Sequence, residues 1–173
     1  MDADFRRGRV MEELRRRQTP LSASNLAKML GVSRQVIVGD VALLRSQGHD
    51  IVATARGYVI PMMAETGRYI GKIACQHSLD DTLGELYTVA DMGAVVLDVI
   101  VEHELYGEIT GQLNIANRED ADAFFEKVIS SGDRLLSELT MGVHLHTLAC
   151  RDRAHFERIC QALGRKGFLV EEN

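Results

Sequence analysis

Two hydrophobic periods divide the chain into a helical first third and a mixed remainder. Between residues 6 and 46, apolar residues recur every three to four positions, which is the period of an amphipathic α-helix. From residue 51 onwards, short β-prone runs alternate with further helical stretches. Because helices and strands mix without a regular βαβ repeat, the pattern predicts an α+β protein with a mainly antiparallel sheet.

The first third has the pattern of a winged helix-turn-helix. Helices are predicted over residues 6–17, 25–30 and 34–47, and a hairpin over residues 51–60. Ser33 is a good N-cap, since its hydroxyl can accept an orphan amide of the next turn. Gly48 is a natural residue to end the helix that follows. The helix after Ser33 is therefore the predicted recognition helix.

The recognition helix has two distinct faces. Ile37, Val41 and Leu44 recur at i, i+4 and i+7 and predict a buried stripe. Another face carries long hydrogen-bond donors at its ends and small or apolar groups between them, which suits a DNA groove. The predicted DNA contacts are Ser33, Arg34, Gln35, Val38 and Arg45, with Arg56 at the wing tip. A small helical bundle without a ligand has a similar helix pattern.

Charge separates the two parts of the chain. Residues 1–60 carry ten basic and six acidic residues, whereas residues 61–173 carry ten basic and nineteen acidic ones. A basic first third suits a module that binds a polyanion, although an ordinary solvated surface permits the same split. The stretch PMMAETG breaks the periodicity, so we place the boundary between domains 1–61 and 62–173 there.

The second domain is predicted to hold five extended runs and three capped helices. Ser78, Asn117 and Asp152 are the predicted N-caps. The run at residues 94–103 is nearly all apolar, which indicates a central strand. The other extended runs are residues 68–76, 109–113, 143–150 and 168–171.

Composition points to a cytoplasmic protein. The 173 residues include no apolar run near the ~20 residues that a membrane span needs. The charged N-terminus lacks the apolar segment of a signal peptide. The three cysteines, Cys75, Cys150 and Cys160, lack a disulfide framework and are expected to be reduced and buried.

Spacing suggests a metal site in the second domain. His144 and His146 share one strand face, with Cα atoms about 6.6 Å apart, a spacing at which two imidazoles can meet one metal. His77 ends another strand and Glu85 lies on the following helix, which completes a set suited to Zn, Ni, Co or Fe(II). A His-x-His pair on a strand is more often two partly buried, hydrogen-bonded histidines than a metal site.

The remaining histidines and cysteines carry weaker signals. Cys75 shares the face of His77 and is the one plausible thiolate addition. Cys150 lies about 13 Å along the strand from His146, so it is excluded from the same site. His103 ends an apolar strand and could line a pocket, whereas surface positions are predicted for His49 and His155.

On these residues the chain resembles the nicotinate-responsive repressors of NAD-biosynthesis genes. These proteins join a winged helix-turn-helix of the biotin-repressor type to a domain named for three histidines. The resemblance rests on residues 26–60, on His77 and Glu85, on the VIVEHELYGEI run at 99–109 and on SELTMGVHLHTL at 137–148. It covers nearly the whole chain.

The resemblance implies a homodimeric repressor that binds double-stranded operator DNA. It further implies a divalent transition metal (Ni, Zn or Fe) held by His77, Glu85, His144 and His146. Nicotinate is the implied co-repressor, for which His103 and Tyr106 are the candidate contacts. Gly39 departs from the family pattern, in which a longer polar residue occupies this position of the recognition helix, so the operator contacts are expected to differ there.

Two other functions fit parts of the same pattern. A metal-sensing regulator would respond to the metal itself and ignore nicotinate. A metal-dependent hydrolase with a DNA-binding appendage would use the metal to lower the pKa of a bound water. No unassigned general base stands at a recognisable spacing, with Glu102 and Glu104 notable only for flanking His103, so we expect no enzymatic activity.

Overall fold

The computed structural model of the protein describes residues 2–17, 19–61 and 68–170. The chain divides into two compact units, Met1–Glu65 and Thr66–Asn173. The predicted boundary after residue 61 directly precedes residues 62–67, which lie outside the described residues. Within the described ranges, no helix has the length and apolar character needed to cross a membrane.

Three helices and a hairpin form the first unit, which confirms the predicted winged helix-turn-helix. They are α1 (Ala3–Arg16), α2 (Ala23–Leu30), α3 (Arg34–Ser46), β1 (Val52–Thr54) and β2 (Gly57–Val59). Helices α1 and α2 begin earlier than predicted, because Asp2 and Ser22 each accept a hydrogen bond from an N–H of the first turn. Ser33 caps α3 as predicted, with its Oγ 3.3 Å from the Val36 nitrogen.

The core of the first unit lies between its three helices. Ile37, Val41 and Leu44 are buried, so the predicted inward stripe of α3 is confirmed. Their partners on the other elements are Val10, Met11, Leu14, Leu21, Ala23, Leu26, Ala27, Leu30 and Ile51. Because this stripe is held by α1 and α2, the opposite face of α3 points away from the core.

A third short segment extends the hairpin of the first unit. Leu21 forms an antiparallel β-bridge with Tyr58, and the two residues exchange backbone hydrogen bonds. Gly57 lies beside this bridge with φ at +136°, and a Cβ atom there would be 2.4 Å from the carbonyl carbon of Leu21. The wing therefore requires glycine at this position, both for its backbone conformation and for the close approach.

We expect Gly57→Ala to destabilise the first unit by about 2 kcal/mol or more, since the backbone must shift to relieve the overlap. Urea denaturation followed by circular dichroism measures the change. Gly39→Ala is the matched control, because a Cβ at Gly39 would meet nothing within 4 Å. On this exposed helix interior, alanine should stabilise by about 1 kcal/mol. Equal stabilities for the two variants would contradict the close approach at Gly57.

The second unit is a four-stranded antiparallel sheet with three helices. Its elements are β3 (Tyr69–Gln76), α4 (Thr82–Asp91), β4 (Val95–His103), β5 (Gly107–Ile115), α5 (Arg118–Ser131), β6 (Val143–Cys150) and α6 (Arg153–Arg165). The strand order is β3-β6-β4-β5, so β4 is central, as its apolar sequence predicts. The α+β class with an antiparallel sheet is confirmed.

One face of this sheet shares a single core with all three helices. Buried residues of α4, α5 and α6 pack against alternate residues of the four strands. On β6 the inward residues include Leu148 and Cys150. Since alternate side chains of a strand share a face, His144 and His146 point to the same side as these two core residues. The strand therefore carries both histidines into the interior.

Local differences from the prediction occur at element ends. Ser78 makes no side-chain capping bond, and a 3-10 turn at Leu79–Asp81 leads into α4 instead. A second 3-10 helix, Leu136–Thr140, precedes β6 in a stretch for which no element is predicted. The predicted closing strand at residues 168–171 is reduced to one β-bridge between Leu169 and Cys75, and residue 171 lies outside the described residues.

The prediction that His155 lies on the surface is wrong. Its side chain is 1% exposed. The Arg151 N–H donates to its Nδ1 at 3.2 Å, so its Nε2 donates to the Met92 carbonyl at 2.6 Å. This imidazole links the beginning of α6 to the end of α4. Both partners belong to other parts of the chain and not to α6. The spacing of apolar residues along α6 therefore gave no sign that His155 is buried.

Candidate metal centre and nucleic-acid interface

Three histidines and one glutamate converge inside the second unit. The His77 Nε2 lies 2.6 Å from Glu85 Oε2, and the Nε2 atoms of His144 and His146 each lie 3.4 Å from Glu85 Oε1. All four side chains are between 1% and 5% exposed. The structure thus brings together all four residues that were predicted from sequence spacing as metal ligands. The three histidines surround the buried Glu85 carboxylate.

Strand pairing and one helix place this His–Glu cluster. Strand β3 pairs with β6 so that Cys75 lies opposite His144 and Ile73 lies opposite His146. His77 directly follows β3, and the first turn of α4 contributes Glu85. The end of β3 and the start of α4 therefore meet β6, which lies far along the chain from both, at one end of the sheet.

Each histidine ring of the cluster is oriented by a backbone carbonyl. The carbonyls belong to Ser78 for His77 (2.9 Å), to Gly142 for His144 (2.8 Å) and to Asp98 for His146 (2.6 Å). Since a carbonyl oxygen can only accept, each Nδ1 must donate its proton. In the neutral ring the Nε2 lone pair is then free, and all three lone pairs face Glu85. This is how metal-ligating histidines are usually held.

The donor set fits a divalent transition metal. Glu85 Oε1 is buried and has no hydrogen-bond partner among the described residues, although it faces two imidazole nitrogens. Three lone pairs and a carboxylate are all electron-rich, so the cluster needs a cation or protons at its centre. Three imidazole nitrogens and one carboxylate oxygen are ligands that Zn, Ni and Fe(II) accept.

Burial and charge together set the protonation of the metal-free cluster. Burial alone would raise the pKa of Glu85, but the imidazoles of His146, His144 and His77 hold that pKa well below its usual value. Burial alone would lower the pKa of His77 and of His146, yet the Glu85 carboxylate outweighs it and raises both pKa values. Protons on these two rings therefore take the place of a cation in the metal-free protein.

The thermal stability of the metal-free protein should depend on pH with a defined sign. The raised pKa values of His77 and His146 contribute stability that is complete below the ordinary histidine pKa of 6.5 and is lost as the pH rises through the raised values. Metal competes with these protons, so metal-loaded protein should gain stability over the same interval. We expect the difference in Tm between zinc-loaded and EDTA-treated protein to widen as the pH rises above the ordinary histidine pKa of 6.5. A constant difference would contradict the assigned protonation.

A β-bulge at Asp98 orients the cluster and was not foreseen from sequence. The register of β4 shifts between Val96 and Asp98. The Asp98 carbonyl accepts from His146, and its Oδ1 accepts from the Thr147 N–H at 2.9 Å. Both contacts fix β6 where it carries the histidines. The available signal was a lone aspartate inside an otherwise apolar strand, which often marks a buried polar contact.

Of the predicted effector contacts, His103 is the last residue of β4 and Tyr106 lies in the turn that leads to β5. Their rings stack with centroids 5.1 Å apart, and Tyr106 is exposed. The His103 Nδ1 accepts hydrogen bonds from the N–H groups of Leu105 and Tyr106. A concave region there is lined by His103, Leu105 and Leu139. In the structure His103 stabilises a turn, and it is not part of the His–Glu cluster.

A cavity of about 490 Å³ borders the cluster on the side of His144. Its wall includes His144, Leu145 and Thr140, together with residues at the paired ends of β4 and β5. Small-molecule sites are typically concavities of about 300–1,000 Å³. This cavity combines suitable size with a position beside residue His144 of β6, and sequence reasoning did not identify it.

The outward face of α3 is the candidate nucleic-acid surface. Arg34, Gln35 and Arg45 are exposed there, as predicted. Val38 is half-buried against the core, and the Ser33 hydroxyl is engaged in capping. Arg56 lies in the turn of the hairpin.

The same surface also carries two exposed apolar residues that the sequence prediction did not name. Val36 and Leu43 are 37% and 49% exposed on α3. Gly39 and Ala42 are exposed between them, and Gly39 meets nothing within 4 Å. Small and apolar groups flanked by arginines allow a helix to approach the base edges and thymine methyl groups of a major groove. The face is therefore suited to a groove by shape and by charge.

Asp40 connects the recognition helix to α1 and was also missed. Its carboxylate is 3% exposed and accepts from the Arg6 Nε at 2.5 Å and from the Arg6 Nη2 at 3.0 Å. A nitrogen of Arg7 lies 3.7 Å away. Such a two-pronged contact fixes orientation as well as distance. Asp40 therefore anchors α3 from the side opposite its exposed face.

A winged helix-turn-helix with a basic recognition face, followed by an α+β unit with a buried histidine cluster, defines a two-domain DNA-binding transcription regulator. The family model of the HTH domain matches residues 6–59, and the family model of the 3H domain matches residues 70–172. Both matches agree with the two units of the structure.

Two curated relatives match nearly the whole chain. Transcription repressor NadR of Bacillus subtilis (strain 168) is 38% identical over 169 residues, which cover 96% of this chain and 94% of that protein. The probable transcription repressor NiaR of Thermotoga maritima is 41% identical over 166 residues, which cover 94% of this chain and 92% of that protein. The chain therefore belongs to the family of helix-turn-helix transcription repressors with a 3H domain, and the family resemblance inferred from sequence is confirmed. Membership of a repressor family also agrees with the expectation that the protein is not an enzyme.

Proposed function

We propose that the protein represses genes of NAD biosynthesis or niacin uptake, with nicotinate as co-repressor and a divalent metal in the second domain. The observation that supports the metal is the convergence of three Nε2 lone pairs on Glu85, whose Oε1 is buried without a partner. The NadR and NiaR names of its relatives support the class of regulated genes. The protein would act in the cytoplasm as a homodimer on double-stranded operator DNA.

In this proposal His77, Glu85, His144 and His146 hold the metal. The metal would supply positive charge in the core and would tie β6 to the start of α4. The ligands need no metal to be positioned, because a backbone carbonyl already orients each imidazole. Holding the ends of β3 and β6 rigid in this way would allow a small ligand to bias the domain between DNA-binding states.

For nicotinate we favour the cavity beside His144 over the turn that holds His103 and Tyr106. The cavity wall includes residue His144 of β6, so a ligand there would lie next to the strand that carries two residues of the cluster. The ligand must bind the DNA-competent state more tightly than the other state, since equal affinity for both would shift nothing. A change in the spacing of two recognition helices is sufficient, because a dimer reads half-sites about 34 Å apart.

On the DNA we assign base contacts to the start of α3 and phosphate contacts to its end and to the wing. Arg34 and Gln35 follow the N-cap Ser33, the part of a recognition helix that meets base edges. Arg45 lies in the last turn of α3, and Arg56 lies in the hairpin turn. Val38 contributes an apolar contact from the middle of the helix.

Replacing Arg45 by alanine should weaken operator binding in a salt-dependent way. Loss of one phosphate contact lowers the slope of log Kd against log salt by about 0.9. Titrations by fluorescence anisotropy over a range of potassium chloride concentrations measure this slope. Arg153→Ala on α6 removes the same charge from an exposed site outside the helix-turn-helix and is the matched control. If both variants show the wild-type slope, Arg45 does not contact a phosphate.

A duplex-binding assay tests the proposed function. The purified protein is titrated against the promoter upstream of its own neighbouring genes, with metal, with nicotinate, with both and with neither. We expect tight, sequence-specific binding with both present, and binding close to that of random duplex after EDTA treatment. Analytical ultracentrifugation of the complex should give two protein chains per operator.

Other outcomes of this assay would replace the proposal. Binding that follows the metal and ignores nicotinate would show a metal-sensing regulator. Binding that is indifferent to both would separate the His–Glu cluster from regulation. Equal affinity for operator and random duplex, under all four conditions, would remove the assignment as a specific repressor.

A further inference from the structure

Cys75 lies beside the His–Glu cluster, although the four-residue set does not include it. It is completely buried on β3, directly opposite His144 in the register of β3 and β6. The ligand atoms of Cys75, Glu85 and His144 all lie within 4.8 Å of one another. Atoms that close together can contact one ion placed between them.

The burial of Cys75 is not by itself evidence for a ligand, because free cysteines are often small core residues. The independent observation is the partnerless Oε1 of Glu85, which is itself 1% exposed and belongs to the same group of ligand atoms. A buried carboxylate oxygen facing imidazole nitrogens and a sulfur is stabilised by a cation, or by protons on the imidazoles where no cation is bound. The sulfur is therefore part of the environment that the cation would meet.

Comparison with Cys150 shows that the position of Cys75 is specific. Cys150 is equally buried and shares the face of His144 on β6. It lies six residues from His144, which corresponds to about 20 Å along a strand. Cys150 thus packs in the core without access to the cluster and serves as a natural control.

We propose that Cys75 is a fifth donor to the divalent metal and binds it as a thiolate. This inference rests on the proposed metal centre and adds a ligand to it. On binding, the S–H bond is replaced by a sulfur–metal bond, and the proton leaves to solvent. The Glu85 carboxylate and the thiolate together neutralise the charge of the ion. A thiolate favours zinc, cobalt and nickel over manganese and magnesium, which prefer oxygen ligands.

Cobalt(II) substitution of the full-length protein tests this ligand. We expect wild type to show the intense near-ultraviolet band of thiolate-to-cobalt charge transfer. Cys75→Ser should lose this band but retain the visible d–d bands of cobalt held by His77, Glu85, His144 and His146. Cys150→Ser should keep the charge-transfer band. In competition titrations, Cys75→Ser should bind zinc at least about tenfold more weakly, a loss of about 1.4 kcal/mol, while manganese affinity changes less.

X-ray absorption on zinc-loaded wild type keeps the test independent of any variant. One sulfur neighbour at about 2.3 Å would support the thiolate. Bound cobalt without a charge-transfer band, or zinc with only nitrogen and oxygen neighbours, would overturn Cys75 as a ligand and leave the four-residue centre intact. A band that persists in Cys75→Ser would also overturn it. If wild type binds neither cobalt nor zinc, both the fifth ligand and the proposed metal centre are disproved.

Discussion

Replacing His144 by alanine is expected to lower metal affinity at least about 100-fold. Mutation of a group that only hydrogen-bonds to a metal ligand already lowers metal affinity by about 10–100-fold. The substitution removes one of three Nε2 donors that face Glu85. The same variant should lose nicotinate-dependent operator binding while keeping weak, salt-sensitive binding to random duplex. Mass spectrometry of the dialysed protein gives the metal content, and fluorescence anisotropy gives the operator affinity.

The controls for His144→Ala separate loss of a ligand from loss of structure. His103→Ala removes an imidazole of the same domain that lies outside the cluster, and it should keep the wild-type metal content. Glu85→Gln retains the shape of the side chain but removes the negative charge, so it should lose metal as His144→Ala does. If His144→Ala binds its operator in the wild-type, nicotinate-dependent manner, the link between the metal and DNA binding is disproved.

The convergence of the four candidate metal ligands was predictable because it depends mainly on the alternation of one strand. His144 and His146 are two residues apart, so strand geometry alone puts them on one face. His77 and Glu85 required the further assumption that a strand end and the next helix meet the same face, which antiparallel pairing of β3 and β6 provides.

The groups that orient the cluster were not predictable in the same way. The carbonyls of Asp98 and Gly142 reach His146 and His144 only in the final register of β4 and β6. A β-bulge shifts that register by a residue, and nothing in the local sequence of β6 records it. The same limit applies to His155, whose partner carbonyl on Met92 lies 63 positions away in the chain.

Helix positions followed from periodicity, whereas their ends followed from capping chemistry. Ser33, Asn117 and Asp152 cap their helices as predicted, because each is a short polar residue directly before an amphipathic run. Ser78 has the same appearance but makes no side-chain capping bond to the backbone. It hydrogen-bonds Asp81 instead. Competition between nearby polar side chains therefore determines whether a residue caps a helix. Sequence spacing does not reveal the outcome of this competition.

Asp40→Asn is expected to lower the Tm of the first unit by about 5 °C or more and to weaken operator binding at least about tenfold. Asp40 is the buried anchor between α3 and α1, and the asparagine amide would turn an N–H group towards the Arg6 guanidinium. Removing one charge of a buried pair is costly because the other charge stays behind without its partner. The position of α3 relative to α1 should then fluctuate, although no DNA-facing side chain has changed. Differential scanning calorimetry and fluorescence anisotropy measure the two effects.

Two further variants determine whether α3 is positioned by the charges of the Arg6–Asp40 pair or by the packing of the two side chains. Glu12→Gln neutralises an exposed carboxylate of α1 that pairs with Arg9, and it should leave both Tm and operator affinity near the wild-type values. The double variant Arg6→Met with Asp40→Leu replaces the pair by apolar groups, which commonly restores or exceeds the stability of a buried pair. If this variant regains stability but not operator affinity, the charge-assisted geometry sets the angle at which α3 meets DNA. If Asp40→Asn alone matches wild type in both measurements, α3 is held by Ile37, Val41 and Leu44 without the ion pair.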